Sequence, residues 1–123
     1  MAFNINIAPA TVNLAYAFTN NNTIEGNGGY IQIYVNSSNV VYDVDTISSS
    51  FNVNVGDQVD VSIYTYANSN YGTSTELIVS NPTGTVINNQ YDYQPNPGSP
   101  SSATYTWNAV AGGITITASS NSA

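Results

Sequence analysis

Lysine, arginine and histidine are all absent from this chain of 123 residues, and so is cysteine. Each absence removes a class of function. Without cations the chain lacks the groups that neutralise phosphates and release counterions, so a nucleic-acid partner is not expected. Attraction to an acidic membrane surface is lost for the same reason. Side-chain ion pairs cannot form, so each of the seven acids must be solvated, hydrogen-bonded to a neutral donor or bound to a metal ion. The lack of cysteine removes disulfides and thiolate chemistry. No run approaches the roughly 18 apolar residues of a membrane-spanning helix. The first residues, "MAFNINIAPATVNL", have neither a basic region nor a continuous apolar stretch, so no secretory signal is expected. A protein of this kind working outside a cell would arrive by another route, such as release with a virus particle at lysis.

What remains is polar without being charged. Only 6 % of residues are charged, against roughly 25 % in ordinary domains. Asn, Ser, Thr and ten tyrosines supply the polarity, while 41 % apolar residues suffice for one core. The length suits a single domain covering residues 1–123.

The apolar residues recur with period two, the repeat of a strand with one buried face. Phe3, Ile5 and Ile7 share a face before Pro9 interrupts the ladder, and Val12, Leu14, Tyr16 and Phe18 share the next. "YIQIYV" sets Ile31, Ile33 and Val35 against Tyr30, Gln32 and Tyr34. In "VVYDVD", Val40, Tyr42 and Val44 are placed inward, with Asp43 and Asp45 outward. In "FNVNVGDQVDVSIYTY" two strands flank a Gly56-Asp57 turn, with Asp60, Ser62, Tyr64 and Tyr66 facing out. "TELIVS" is a strand and "NPTG" a turn. Residues 88–102 hold three of the five prolines and read as a Pro-rich loop. "ATYTWNAV" and "GITITA" read as a closing hairpin. The expectation is an all-β, single antiparallel β-sandwich of about eight or nine short strands.

The run "YIQIYVNSS", then "FNVNVGDQVDVSIYT", then a Tyr-Thr-Trp strand and a final "GGITITASS" resembles immunoglobulin-like β-sandwich modules of phage virions, including capsid decoration proteins, and of bacterial surface proteins. The resemblance covers residues 29–118. It implies an immunoglobulin-like fold and a virion-surface or extracellular setting, and it carries over no catalytic residue.

The usual groups of acid-base and nucleophilic catalysis are missing, so the chain is read as no enzyme. Asp43 with Asp45, and Asp57 with Asp60, are read first as solubilising surface charge; calcium is the one cofactor those pairs suggest, with oxygens from neighbouring Asn residues and carbonyls. Tyr16, Tyr42 and Tyr105, with Trp107, are placed in the core. Tyr30, Tyr34, Tyr64 and Tyr66 face outward, where they either pack across strands or form a surface for a partner or a glycan. Residues 1–8, with Phe3, Ile5 and Ile7, are a candidate strand-exchange segment. The leading expectation is a structural protein on the exterior of an assembly, such as a phage capsid auxiliary protein, whose partners are copies of itself or a capsid or surface protein. The alternatives are a filament subunit joined by strand exchange and a carbohydrate-binding or adhesive module built on the tyrosines.

Overall fold

The computed structural model describes residues 10–123, whose regular structure is entirely β-strand. The candidate exchange segment, with Phe3, Ile5 and Ile7, lies outside the described residues. Nine strands follow in order: β1 (Thr11–Asn20), β2 (Gly28–Val35), β3 (Ser38–Asp43), β4 (Ile47–Asn54), β5 (Gln58–Tyr66), β6 (Thr73–Ser80), β7 (Val86–Gln94), β8 (Ser101–Asn108) and β9 (Ile114–Ser122). They make a five-stranded sheet, β4-β1-β9-β6-β7, and a four-stranded sheet, β3-β2-β5-β8.

Period-two alternation places one row of each strand between the sheets. Leu14 and Phe18 of β1, Ile31 and Ile33 of β2, Val59, Val61 and Ile63 of β5, Leu77 and Val79 of β6 and Ile116 of β9 are fully buried. Burying each such side chain stabilises the fold by roughly 1.5–3 kcal/mol. This is the β-sandwich that the alternation predicts.

Four local expectations are corrected. The inward row of β3 is not Val40, Tyr42 and Val44, which are all exposed, but Val41, which is buried. A two-residue turn at Asn36 and Ser37, both with positive φ, sets Val35 opposite Ser38 and Tyr34 opposite Asn39. A bulge then adds one residue, so that Val41 and not Val40 faces Ile33. One inserted residue is enough to reverse which side chains face the core.

The predicted loop over 88–102 is mostly strand, because β7 runs from Val86 to Gln94 and only residues 95–100 lie outside β7 and β8. The closing hairpin does not form: β8 belongs to the small sheet and β9 to the large one. The sandwich is also not wholly antiparallel, since β9 returns from the other sheet to lie parallel to β1, with Leu14 opposite Ile114 and Asn20 opposite Ser120. Crossing between sheets lets the last strand run in the direction of the first.

The rim between β7 and β8 is closed by side chains. The Gln90 amide donates from Nε2 to the Thr104 carbonyl (2.6 Å) and accepts the Thr104 N–H (3.3 Å). Asp92 accepts the Ser102 N–H at 2.9 Å. These contacts occupy edge groups of β8 that a neighbouring strand would otherwise seek, and they account for the polar inward row of β7. Between the sheets, Thr65 shares hydrogen bonds with Thr75 (2.7 Å) and Ser120 (2.6 Å), and Thr75 with Ser101 (2.7 Å). All four residues are buried, and each hydroxyl is satisfied by another, as burial of polar groups requires. The cluster ties β5 and β8 of one sheet to β6 and β9 of the other.

Candidate partner surface and polar cleft

The outer face of the four-stranded sheet gathers aromatic rings from three strands. Tyr30 on β2 lies opposite Tyr64 on β5, with ring centroids 5.7 Å apart. On its other side Tyr30 stacks on Tyr42 of β3 at 5.3 Å and 29°. Tyr42, assigned to the core from sequence, is therefore an outer member of this row and is 55 % exposed. Burial pushes the Tyr30 phenol above its ordinary pKa, with the neighbouring Tyr42, Tyr64 and Tyr34 phenols adding to the shift.

Tyr66 continues the row along β5, opposite Gly28. A methyl group at position 28 would overlap the Tyr66 hydroxyl and the ring carbon bearing it, so the ring occupies the space that the missing side chain leaves. Tyr34 stands at the far end of β2, opposite Asp60. The structure thus brings Tyr30, Tyr64 and Tyr66 together with Tyr42 and leaves Tyr34 toward the opposite end of the face.

The four aspartates are dispersed into different roles. Asp43 has the inward parity of Val41 and is half-buried at the sandwich rim, where the Tyr16 hydroxyl donates to it at 3.4 Å. Burial and the Asp43 charge both raise the Tyr16 pKa. Asp45 lies beyond the end of β3 and is exposed, so the two acids do not share a strand face. Asp57 is engaged by its own turn, accepting the Asn54 N–H at 2.9 Å and the Asn36 amide at 3.0 Å. Asp60 accepts the Thr106 hydroxyl across β5 and β8. Among the described residues no three acids gather into a metal-binding group.

Trp107 lies opposite Val59 on the inward side of β8, packs against the core and stacks on Tyr105 at 5.4 Å, as expected from sequence. Its indole N–H is buried with no acceptor among the described residues.

A feature not anticipated from sequence lies at the end of the tyrosine row. An open cleft of about 410 Å³ is bounded by the "NNNT" segment, the start of β2, residues 44–46 and Tyr66. Its amides are fixed in place. Asn20 donates to the Val44 carbonyl (2.8 Å) while its Oδ1 accepts the Asn22 amide (2.7 Å), and Asn27 donates to Gly72 and Ser122 (3.2 Å each) and accepts the Asn68 N–H (2.7 Å). The sequence shows this region only as an Asn-rich loop; the approach of residues 44–46 and Tyr66 is a tertiary event.

No protein-family model and no curated protein matches the sequence. Among solved structures, the major pilin of Streptococcus pyogenes, in its N168A mutant, is similar at 14 % identity and a TM-score of 0.30. The match covers 90 % of this chain and 48 % of the pilin, so the chain spans about half of that protein's length. At that level of similarity the pilin carries no argument about the function of this chain.

Proposed function

We propose that the chain is a non-catalytic structural protein on the exterior of an assembly, extracellular or on a virion, and that it meets its neighbours through the outer face of the four-stranded sheet. The observation that carries this reading is the row Tyr42, Tyr30, Tyr64 and Tyr66. Tyrosine rings offer large contact area at small entropic cost and are enriched at protein interfaces. Apart from Asp60 at its far end, the rest of that face, including Gln32, Ser62, Ser102 and Thr104, is neutral and hydrogen-bonding. A net charge of −7 limits indiscriminate association while leaving this specific surface available. A capsid auxiliary protein, bound to a shell and to its own copies, is the setting that suits such a surface best.

A filament subunit is a second reading, favoured by β4. Among the described residues this edge strand, Ile47–Asn54, pairs with β1 alone, and it contains no charged residue, so little in it opposes the addition of a neighbour's strand. Light scattering on the natively purified particle, with and without a chelator, tests both readings. The expected result is a mass well above 13.0 kDa that falls to the monomer when Tyr30, Tyr42 and Tyr64 are together replaced by serine. Loss of the assembly on deleting residues 1–8, with the tyrosine triple variant still assembled, transfers the proposal to the filament. A monomer at all concentrations, with no copurified shell, overturns both.

A further inference from the structure

The cleft at the end of the tyrosine row has the chemistry of a binding site for a neutral sugar, and we propose that it holds one hexose unit of a neutral glycan. This goes beyond the assembly reading and does not depend on it. A volume of about 410 Å³ lies within the range of small-ligand sites, roughly 300–1,000 Å³.

The lining determines the ligand class. No cation exists anywhere in the chain, so a phosphate, sulfate or uronate would meet no counter-charge and would be repelled by the overall charge. A purely apolar ligand is equally ill served, because hydroxyls, amides and one carboxylate make up most of the walls. A neutral polyol with one apolar face fits both constraints. Sugars bind by placing their C–H face on an aromatic ring and their hydroxyls on fixed acceptors and donors.

Tyr66 supplies the ring: it is 45 % exposed and held over Gly28, where no side chain can intervene. Asp45, exposed, also lines the cleft, and its carboxylate makes no hydrogen bond within the described residues, leaving two oxygens for a pair of adjacent sugar hydroxyls. Thr46 accepts the Asn20 N–H at 3.0 Å through its oxygen, which leaves its hydroxyl proton free to donate. Asn20 and Asn27 are already satisfied by the protein, so they shape the walls and need no reordering when a ligand enters. Such preorganisation removes part of the entropic cost of binding.

The test is a titration of the full chain, isotopically labelled, with the methyl glycosides of glucose, galactose, mannose and N-acetylglucosamine at millimolar concentrations, with glucuronate as the anionic control. The backbone amides of Gly28, Gly29 and Thr46 report on the site. The expected result is saturable shifts at these amides with at least one neutral glycoside and none with glucuronate. Asp45→Asn and Tyr66→Ala should each weaken binding about tenfold or more, whereas Tyr34→Ser, at the other end of the sheet, should leave it unchanged. Asp45 is exposed and its carboxylate makes no hydrogen bond among the described residues, so its variant keeps the fold even where Tyr66→Ala does not. Failure of all four glycosides to give saturable shifts, or binding that is unaffected by Asp45→Asn, overturns the proposal. The masses of the same variants by light scattering keep this outcome separate from the assembly reading: a sugar site can fail in a particle that still forms.

Discussion

The two outer faces of the sandwich are built over one shared core, yet they differ sharply. The four-stranded sheet exposes a row across three strands, Tyr42, Tyr30, Tyr64 and Tyr66, while the β4-β1-β9 part of the five-stranded sheet shows small residues, Ala15 and Ala17, Thr115 and Thr117, Ser48 and Ser50, and its exposed rings are the pair Tyr91 and Tyr93 on the edge strand β7. Both faces satisfy the same alternation and rest on equally buried rows. Structural need alone would allow either composition on either side. The difference therefore points to the aromatic face as the one with a further task.

The largest predicted effect lies just beneath that face, where the inner row of β2 depends on a missing side chain at Gly29. Gly29→Ala would drive a methyl into the Ser120 hydroxyl and to 2.9 Å from the Tyr64 carbonyl. Overpacking together with damage to the buried hydroxyl cluster should cost about 2–4 kcal/mol. Ala17→Ser on the opposite face should stay within about 0.5 kcal/mol. Urea denaturation measures both, with a shifted midpoint at constant slope expected for the glycine variant. Equal effects at the two positions would mean that the layer beneath the tyrosine row has no special need of a missing side chain.

Next in size is Tyr30→Ala, which removes two ring contacts at once. Each should contribute about 0.5–1.5 kcal/mol beyond simple burial. A double-mutant cycle between Tyr30 and Tyr42 isolates one of them, and a coupling energy of zero would mean that the rings are neighbours without being partners.

Smaller again is the loss expected at the β7–β8 rim. Asp92→Ala should cost about 1 kcal/mol by leaving the Ser102 N–H without its acceptor. Hydrogen exchange should speed up at Ser102 and not at Thr104, whose N–H is held by Gln90.

The smallest effect is a dependence on alkaline pH. The Tyr30 and Tyr16 phenols have raised pKa values in the folded state, so the unfolded chain loses their protons first. Their contribution to stability is fully present below the ordinary value of 10.0 and is lost as the pH rises through the raised folded values. Tyr30→Phe should flatten the part of that decline due to the aromatic face, as seen in denaturation midpoints measured across the alkaline range.

Much of this was legible in the residues themselves. Leu14, Phe18, Ile31, Ile33, Val59, Val61 and Ile63 are buried where alternation puts them, because a strand with one buried face can be written in only one way. Tyr30, Tyr64 and Tyr66 face outward for the same reason. Tyr42 was misplaced because its parity was counted along β3 alone, whereas the bulge opposite Ile33 and Tyr34 shifts the count by one. β7 was missed because its inward row is Asn88, Gln90, Asp92 and Gln94, a polar pattern that makes sense only once the free edge of β8 lies beside it. The cleft was invisible for a similar reason: Asn20, Asp45 and Tyr66 are far apart in the chain and meet only at one end of the sandwich.

The sequence by itself determined that the protein is built of strands, that it has no cation to offer a partner, and which rows of most strands are buried. These are properties of composition and of a two-residue repeat, and no distant contact can alter them. Only the tertiary structure decided which sheet each strand joins, that β9 lies parallel to β1, and that a tyrosine row ends at a polar cleft. Those outcomes depend on register and on crossings between sheets, where a single bulged residue or a short connection directs side chains that local pattern leaves undetermined.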